Sequence, residues 1–259
     1  MNIVVLVKQV PDTWSERKLR ASDSTLDRDA ADAVINELDD YAIEEGLRLA
    51  EANGGEVTIV SMGPEKAADA IRKALSMGAD KAVHVTDEGL RGSDGLVTSA
   101  VLAKVLGRTG FDLVVLGSES TDARMGTLAA MLAERLDVPQ MSFASKVETD
   151  GTKISIHRQA DYGYDTVEGM LPAVVSVVEK INEPRYPSFK GIMAAKKKPV
   201  ETLSLADLGL DASAAGLSAS ATEVVSFANR PPRAAGTIVT DEGDGGVKAA
   251  EFLATRKFI

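Results

Sequence analysis

Between Gly117 and Thr127 the chain reads GSESTDARMGT, and these residue types at this spacing could hold an anion. Gly117 would let a ligand approach the backbone, and Ser118, Ser120 and Thr121 offer hydroxyls. Gly126-Thr127 stand at an expected helix start, where unpaired N–H groups and the positive end of the helix dipole favour a phosphate. Arg124 could add charge-assisted bonds to the same group. This is the chemistry of a nucleotide pocket. A plain Gly/Ser loop followed by a helix cap is the blander reading of the same residues. Neither a P-loop lysine motif nor a G-x-G-x-x-G run after the first strand is present, so the usual ATPase and dinucleotide fingerprints are missing.

Other reactive residues are sparse. His84 and His157 stand alone in strand-like sequence, which argues against a metal site. Asp39-Asp40 and Glu44-Glu45 fall at helical spacing and read as a solvated face. Ser118 lacks the Gly-x-Ser-x-Gly setting of a hydrolase nucleophile. Trp14, the one tryptophan, reads as a packed residue. With no cysteine, thiolate metal sites, iron–sulfur clusters and cysteine nucleophiles are excluded, so any redox centre must be borrowed. The 29 basic and 39 acidic residues leave a net charge of −10, which opposes wrapping by nucleic acid. No apolar run nears the roughly 20 residues of a membrane span, and no leader precedes the first strand, so a cytoplasmic protein is expected.

The elements that must position the loop follow from periodicity. Ile3 to Val7, Val57 to Met62, Ala82 to Val85 and Leu113 to Leu116 are short, β-branched runs of the kind found in central parallel strands. Helices are expected between them: Asn36 (cap) to Asn53, one opening at Pro64 and ending at Gly78, one capped by Ser93 with Gly107 beyond, and one from about Arg124 to Arg135. Beyond Gln140 strands follow one another, with turns at Asp150-Gly151 and Tyr162-Gly163-Tyr164. The expected fold is α/β, a doubly wound, mostly parallel sheet with added β-hairpin strands and a C-terminal arm. Residues 1–200 would form the α/β domain, and the Ala/Ser-rich tail, 201–259, the arm with a short last helix. In such sheets ligands bind at the carboxyl ends of the strands. Leu6 to Gln9, Asn36 to Asp39, Met62-Gly63 and Gly117 to Thr127 should converge there.

A second region stands out at Asp165–Lys198. A buried-strand signature, Val167 to Val178, runs into Asn-Glu-Pro-Arg-Tyr-Pro, where each proline removes a backbone donor and keeps Glu183 and Tyr186 out of a helix. The excursion, about 183–198, leaves the apolar pair Ile192-Met193 near its tip, either tucked onto its own core or anchoring a partner.

LPAVVSVVEKINEPRYPSFKGIMAAKKK (Leu171–Lys198), VKQVPDT (Val7–Thr13), GPEKAADAIRKALSMGADKAVHV (Gly63–Val85), DLVVLGSESTD (Asp112–Asp122) and RPPRAAG (Arg230–Gly236) together resemble the β subunit of electron transfer flavoproteins over nearly the whole chain. The resemblance implies a non-catalytic subunit of an electron shuttle that holds AMP structurally while an α subunit holds most of the FAD. By position it implicates Leu6, Asn36, Glu37, Leu38, Asp39, Met62, Gly117, Ser118, Glu119, Ser120, Thr121, Asp122, Arg124, Gly126 and Thr127 at AMP. Thr13 and Leu38 would form a wall of the flavin site, with Trp14 a further candidate at the flavin edge. The resemblance also implies that the arm wraps the α subunit. Many members carry Gln-Thr-Gly at the helix start where this chain reads Ala123-Arg124-Met125-Gly126-Thr127. A bifurcating subset places a second FAD where AMP would sit and tends to carry Gly-Asp-Thr-Ala-Gln, which Thr121-Asp122-Ala123-Arg124 does not match.

The resemblance makes the segment after Tyr186 a docking loop for acyl-CoA dehydrogenases and related flavin dehydrogenases, with electrons passing on to a membrane quinone oxidoreductase. Its implied contacts are Pro184, Arg185, Tyr186, Phe189 (the tip), Ile192, Met193, Lys196, Lys197 and Lys198. With Lys190, the last three would steer an acidic partner. Two other classes are open: an ATP-hydrolysing enzyme, which would turn over ATP alone, and a nucleotide-binding sensor, which would be a stable monomer.

Overall fold

The computed structural model describes every residue except Ala234, within the Arg230–Gly236 stretch, and Thr237. Its strands are β1 (Asn2–Leu6), β2 (Gln9–Pro11), β3 (Ala33–Ile35), β4 (Glu56–Met62), β5 (Lys81–Val85), β6 (Leu113–Gly117), β7 (Gln140–Thr149), β8 (Lys153–Ala160), β9 (Gly163–Met170), β10 (Ala173–Val177) and β11 (Val200–Leu203). Its α-helices are α1 (Glu37–Asn53), α2 (Ala68–Met77), α3 (Gly95–Thr109), α4 (Leu128–Leu136), α5 (Phe189–Ala195), α6 (Gly216–Ala219) and α7 (Gly245–Thr255).

Nine strands form one sheet in the order β11-β5-β4-β1-β6-β10-β7-β8-β9. All pairs from β11 to β7 are parallel, and β8 and β9 add antiparallel. β2 and β3 form a separate antiparallel ribbon. Strand alternation divides the core. Ile3, Val5, Val57 and Ile59 pack with Ile43, Leu47, Ile71 and Leu75 of α1 and α2. Val4, Leu6, Val60 and Val114 pack with Val101, Leu106 and Leu132 of α3 and α4 on the other face. Helices on both faces make the sheet doubly wound, as expected. The chain leaves β1 toward β4 and returns from β5 to β6 on the other side of β1, so a crevice opens at the carboxyl ends of β1 and β6.

Several boundaries differ from expectation. The helix after β5 is capped by Asp94, not Ser93: its carboxylate accepts from Val97 N at 2.9 Å. It passes Gly107 and stops at Gly110. The fourth helix starts at Leu128, because Arg124 and Gly126 both hold positive φ, 48° and 66°, in a turn that cannot be helical. The Val167–Val178 run is two strands, broken at Leu171-Pro172. Asp39, Glu44 and Glu45 are not a solvated face but are buried. Trp14 is not packed; it is 95% exposed.

The sheet unit also extends past residue 200. β11 pairs with β5, Leu203, Leu205 and Ala215 are buried, and Asp94 accepts from Ala221 N and Thr222 N. Compact units are residues 1–225 and 226–259, so the boundary lies 25 residues beyond the expected cut (225 against 200). A few well-spaced apolar side chains dock this stretch despite its Ala/Ser-rich composition. The second unit contains the expected last helix, α7. Among the described residues no helix is long and apolar enough to cross a membrane.

Candidate functional site

At the β1/β6 crevice, α1 begins against the connection that leaves β6. Asn36 occupies the cap position of α1 but makes no capping bond. Its side chain instead holds the neighbouring loop. Nδ2 donates to Glu119 O (3.0 Å) and Asp39 Oδ1 (2.9 Å), and Oδ1 accepts from Thr121 N (3.1 Å). Asp39 accepts from Lys8 N at 2.7 Å. Burial pushes its carboxyl up to about 7, against the opposing pull of Asn36, Lys8 and Gly117. Gly117 serves packing as well as approach: a Cβ there would lie 2.6 Å from Asp39 Oδ1 and 2.8 Å from Leu38 Cβ.

The loop's charge is balanced from outside. Asp122, with its side chain only 2% exposed, receives Lys8 Nζ at 2.8 Å and Arg28 Nη2 at 3.1 Å. Burial works to raise its carboxyl, but Lys8, Ser120 and Arg28 outweigh that and hold it below the ordinary carboxylate value. Lys8 Nζ also reaches Ser120 Oγ at 3.2 Å, and Arg17 donates to Thr121 O. Sequence reading includes Lys8 in the converging Leu6 to Gln9 run without giving its side chain a role, and misses Arg17 and Arg28. Lys8 lay within a quoted motif, whereas residues 12–32 show no periodicity that would place Arg17 or Arg28.

Leu6, Asn36, Leu38, Asp39 and Gly117 to Asp122 therefore converge. Glu37 is exposed at the start of α1 and accepts from Thr13 Oγ1 at 3.3 Å, which brings the two implied flavin-wall residues, Thr13 and Leu38, to one corner. Met62 ends β4, on the far side of β1 from β6. Arg124, Gly126 and Thr127 lie further along the same connection, and Arg124 is exposed with no ion-pair partner among the described residues. The residues fit a nucleotide monophosphate in three respects. Among the described residues Thr121 Oγ1 is buried without a hydrogen-bond partner, the first turn of α4 at Thr127 has no side-chain cap, and Arg124 is a cation with no ion-pair partner on the same connection.

A polar cavity of about 530 Å³ lies to one side, lined by Gln9, Ser15, Arg28, Asp29, Lys66 and Asp69 among others. It shares only Arg28 with the loop's contacts. His84 is buried, within 3.3 Å of Gly63 O, and burial lowers its pKa. His157 stacks on Tyr164 with ring centroids 4.2 Å apart. Among the described residues no cluster of histidine and carboxylates could hold a metal.

Part of the 183–198 segment is helical and not open loop: α5 spans Phe189–Ala195, after a non-helical approach that contains Glu183 and Tyr186. Ser188 caps α5 by accepting from Gly191 N at 3.0 Å. Gly191 lies so close to Ser76 O of α2 that no Cβ would fit. Two implied docking residues face inward. Arg185 binds Glu44 (2.7 and 3.0 Å) and Glu51 (2.6 and 3.2 Å) of α1. Lys198 Nζ donates to Leu75 O, Gly78 O and Ala79 O, closing the carboxyl end of α2, and burial lowers its pKa. Tyr186, Phe189, Ile192, Met193, Lys196 and Lys197 are exposed, Tyr186 and Phe189 at 95% and 80%. Pro184 is half-buried.

A family model described as "Electron transfer flavoprotein domain" matches residues 23–208. "Electron transfer flavoprotein subunit beta" of Mycobacterium bovis is 52% identical, covering 100% of this chain and 99% of the relative. The protein of that name from Thermoanaerobacterium thermosaccharolyticum is 39% identical over 96% and 95%. "Caffeyl-CoA reductase-Etf complex subunit CarD" of Acetobacterium woodii is 34% identical over 93% and 92%. Full-length identity of this order, on the fold and crevice just described, means that the chain belongs to the electron transfer flavoprotein family as one of its beta subunits.

Proposed function

We propose that this chain binds AMP at the β1/β6 crevice, completes the FAD site of an α subunit, and presents α5 to acyl-CoA and related flavin dehydrogenases. Electrons would then pass to a quinone oxidoreductase. One observation carries the nucleotide reading. Three separate segments, at Leu6–Lys8, Asn36–Asp39 and Gly117–Asp122, meet where an open parallel sheet binds ligands, and they leave Thr121 Oγ1 buried and unpartnered. Ser118, Thr121 and Arg124 supply donors for the phosphate, Ser120 is held on Asp122, and the start of α4 adds backbone N–H groups. Thr13 and Leu38 exclude water from one side of the flavin site. FAD, when bound, supplies the one- and two-electron chemistry. Chain-borne catalysis is not part of this reading. Lys190, Lys196 and Lys197 face solvent beside the exposed apolar residues of α5 and suit an acidic partner surface.

The test is nucleotide and flavin content of the complex co-purified with its α subunit. One AMP and one FAD per heterodimer are expected. Two flavins and no AMP would favour the bifurcating alternative, and ATP turnover by the isolated chain would favour an enzyme.

A further inference from the structure

Asp122 is a buried carboxylate in a loop, and such a group is costly unless cations meet it. Its two partners come from different places. Lys8 follows β1 and is fixed by its own backbone, whose N–H binds Asp39 at 2.7 Å. Arg28 belongs to the long excursion between β2 and β3, which reaches the loop through arginines: Arg28 on Asp122 and Arg17 on Thr121 O. Arg28 is also committed elsewhere, since Nη1 donates to Gln9 O at 3.2 Å while Nη2 holds Asp122 at 3.1 Å. Both terminal nitrogens of the guanidinium thus have partners within the protein.

We propose that Arg28 is a positioning residue for the nucleotide pocket. Acting through Asp122, it fixes Ser120 to Asp122 in the conformation that receives the phosphate, and the 12–32 excursion is thereby a strap over the binding loop. Lys8 alone would hold only Oδ1 of Asp122 and leave the buried Oδ2 without its partner, and the loop would sample arrangements in which Ser120 and Thr121 do not converge. The strap's arginines reach the loop through a carbonyl and a carboxylate, so its hold has a charge-dependent part.

The inference rests on the nucleotide reading above, and one experiment separates the two. AMP affinity is measured by equilibrium dialysis on the nucleotide-stripped heterodimer with its α subunit, with flavin content as a control on assembly. Arg28→Gln should bind AMP roughly ten-fold or more weakly, since a hydrogen bond to a charged group is lost, while Arg28→Lys recovers most of the affinity. On an Asp122→Asn background, Arg28→Gln should change affinity little further, which distinguishes action through Asp122 from direct contact with the ligand. Wild-type affinity in Arg28→Gln overturns the proposal alone, as does an equal, additive loss in both backgrounds. Failure of the wild-type heterodimer to retain or take up AMP overturns the nucleotide reading and the proposal with it. If Arg28→Gln does not assemble, Asp122→Asn and the double variant still decide. Equal affinities support the proposal, and a further loss in the double variant sinks it.

Discussion

The Gly117–Thr127 connection and the Glu183–Lys198 segment both carry cations beside a proposed binding surface, and in both the cations divide into inward and outward sets. Around the first, Lys8, Arg17 and Arg28 are spent on Asp122 and Thr121 O, and Arg124 is left over. In the second, Arg185 and Lys198 are spent on α1 and α2, and Lys190, Lys196 and Lys197 are left over. A basic residue near a site is thus not necessarily available to a ligand. The two regions differ in what they expose. The connection ends in polar groups with an unpaired hydroxyl, whereas α5 offers Phe189, Ile192 and Met193.

Three substitutions can break or sharpen this contrast. The largest effect is expected at Arg185→Ala, which strands the buried Glu44 carboxylate and should cost about 3–4 kcal/mol of heterodimer stability in urea. If stability is unchanged and dehydrogenase turnover falls, Arg185 faces a partner after all and the inward set is misassigned. The next concerns Asp39. Its folded pKa, about 7 against an ordinary 3.8, means that the folded state binds the proton more tightly than the unfolded one. Its contribution to stability is complete below about pH 4 and is lost as pH rises through about 7. From pH 5 to 8 the wild type should lose about 2–3 kcal/mol more than Asp39→Asn, and parallel urea profiles would refute this. The smallest is Phe189→Ala, which should weaken dehydrogenase coupling by roughly 1–3 kcal/mol at unchanged flavin content. Loss of flavin in step would make Phe189 a support of the fold.

The architecture was legible because periodicity reports it directly. Val/Ile runs marked the parallel strands, and the Asp150-Gly151 turn marked the β7–β8 hairpin. Burial of carboxylates was not legible. Glu44 and Glu45 stand at spacing that suits a solvated face, and their partners Arg185 and Asn182 lie 141 and 137 residues away. The same holds at the crevice, where Asp122 finds Arg28 across 94 residues. Helix α5 is hidden in the sequence because the prolines at 184 and 187 dominate its approach, whereas Ser188 starts a new helix just past them.

The course of the chain on either side of α5 has a mechanical consequence. It leaves the sheet at β10 and re-enters at β11, with four strands between them, β5, β4, β1 and β6, a distance of roughly 24 Å at sheet spacing. Residues 178–199 therefore form a girder anchored at both ends, braced to α1 and α2 midway, and not a tether. An incoming protein would meet a backbone already held in place, so little main-chain disorder need be frozen out on encounter. By the same reasoning, lengthening this span would slacken the sheet's β11 margin as well as the contact surface.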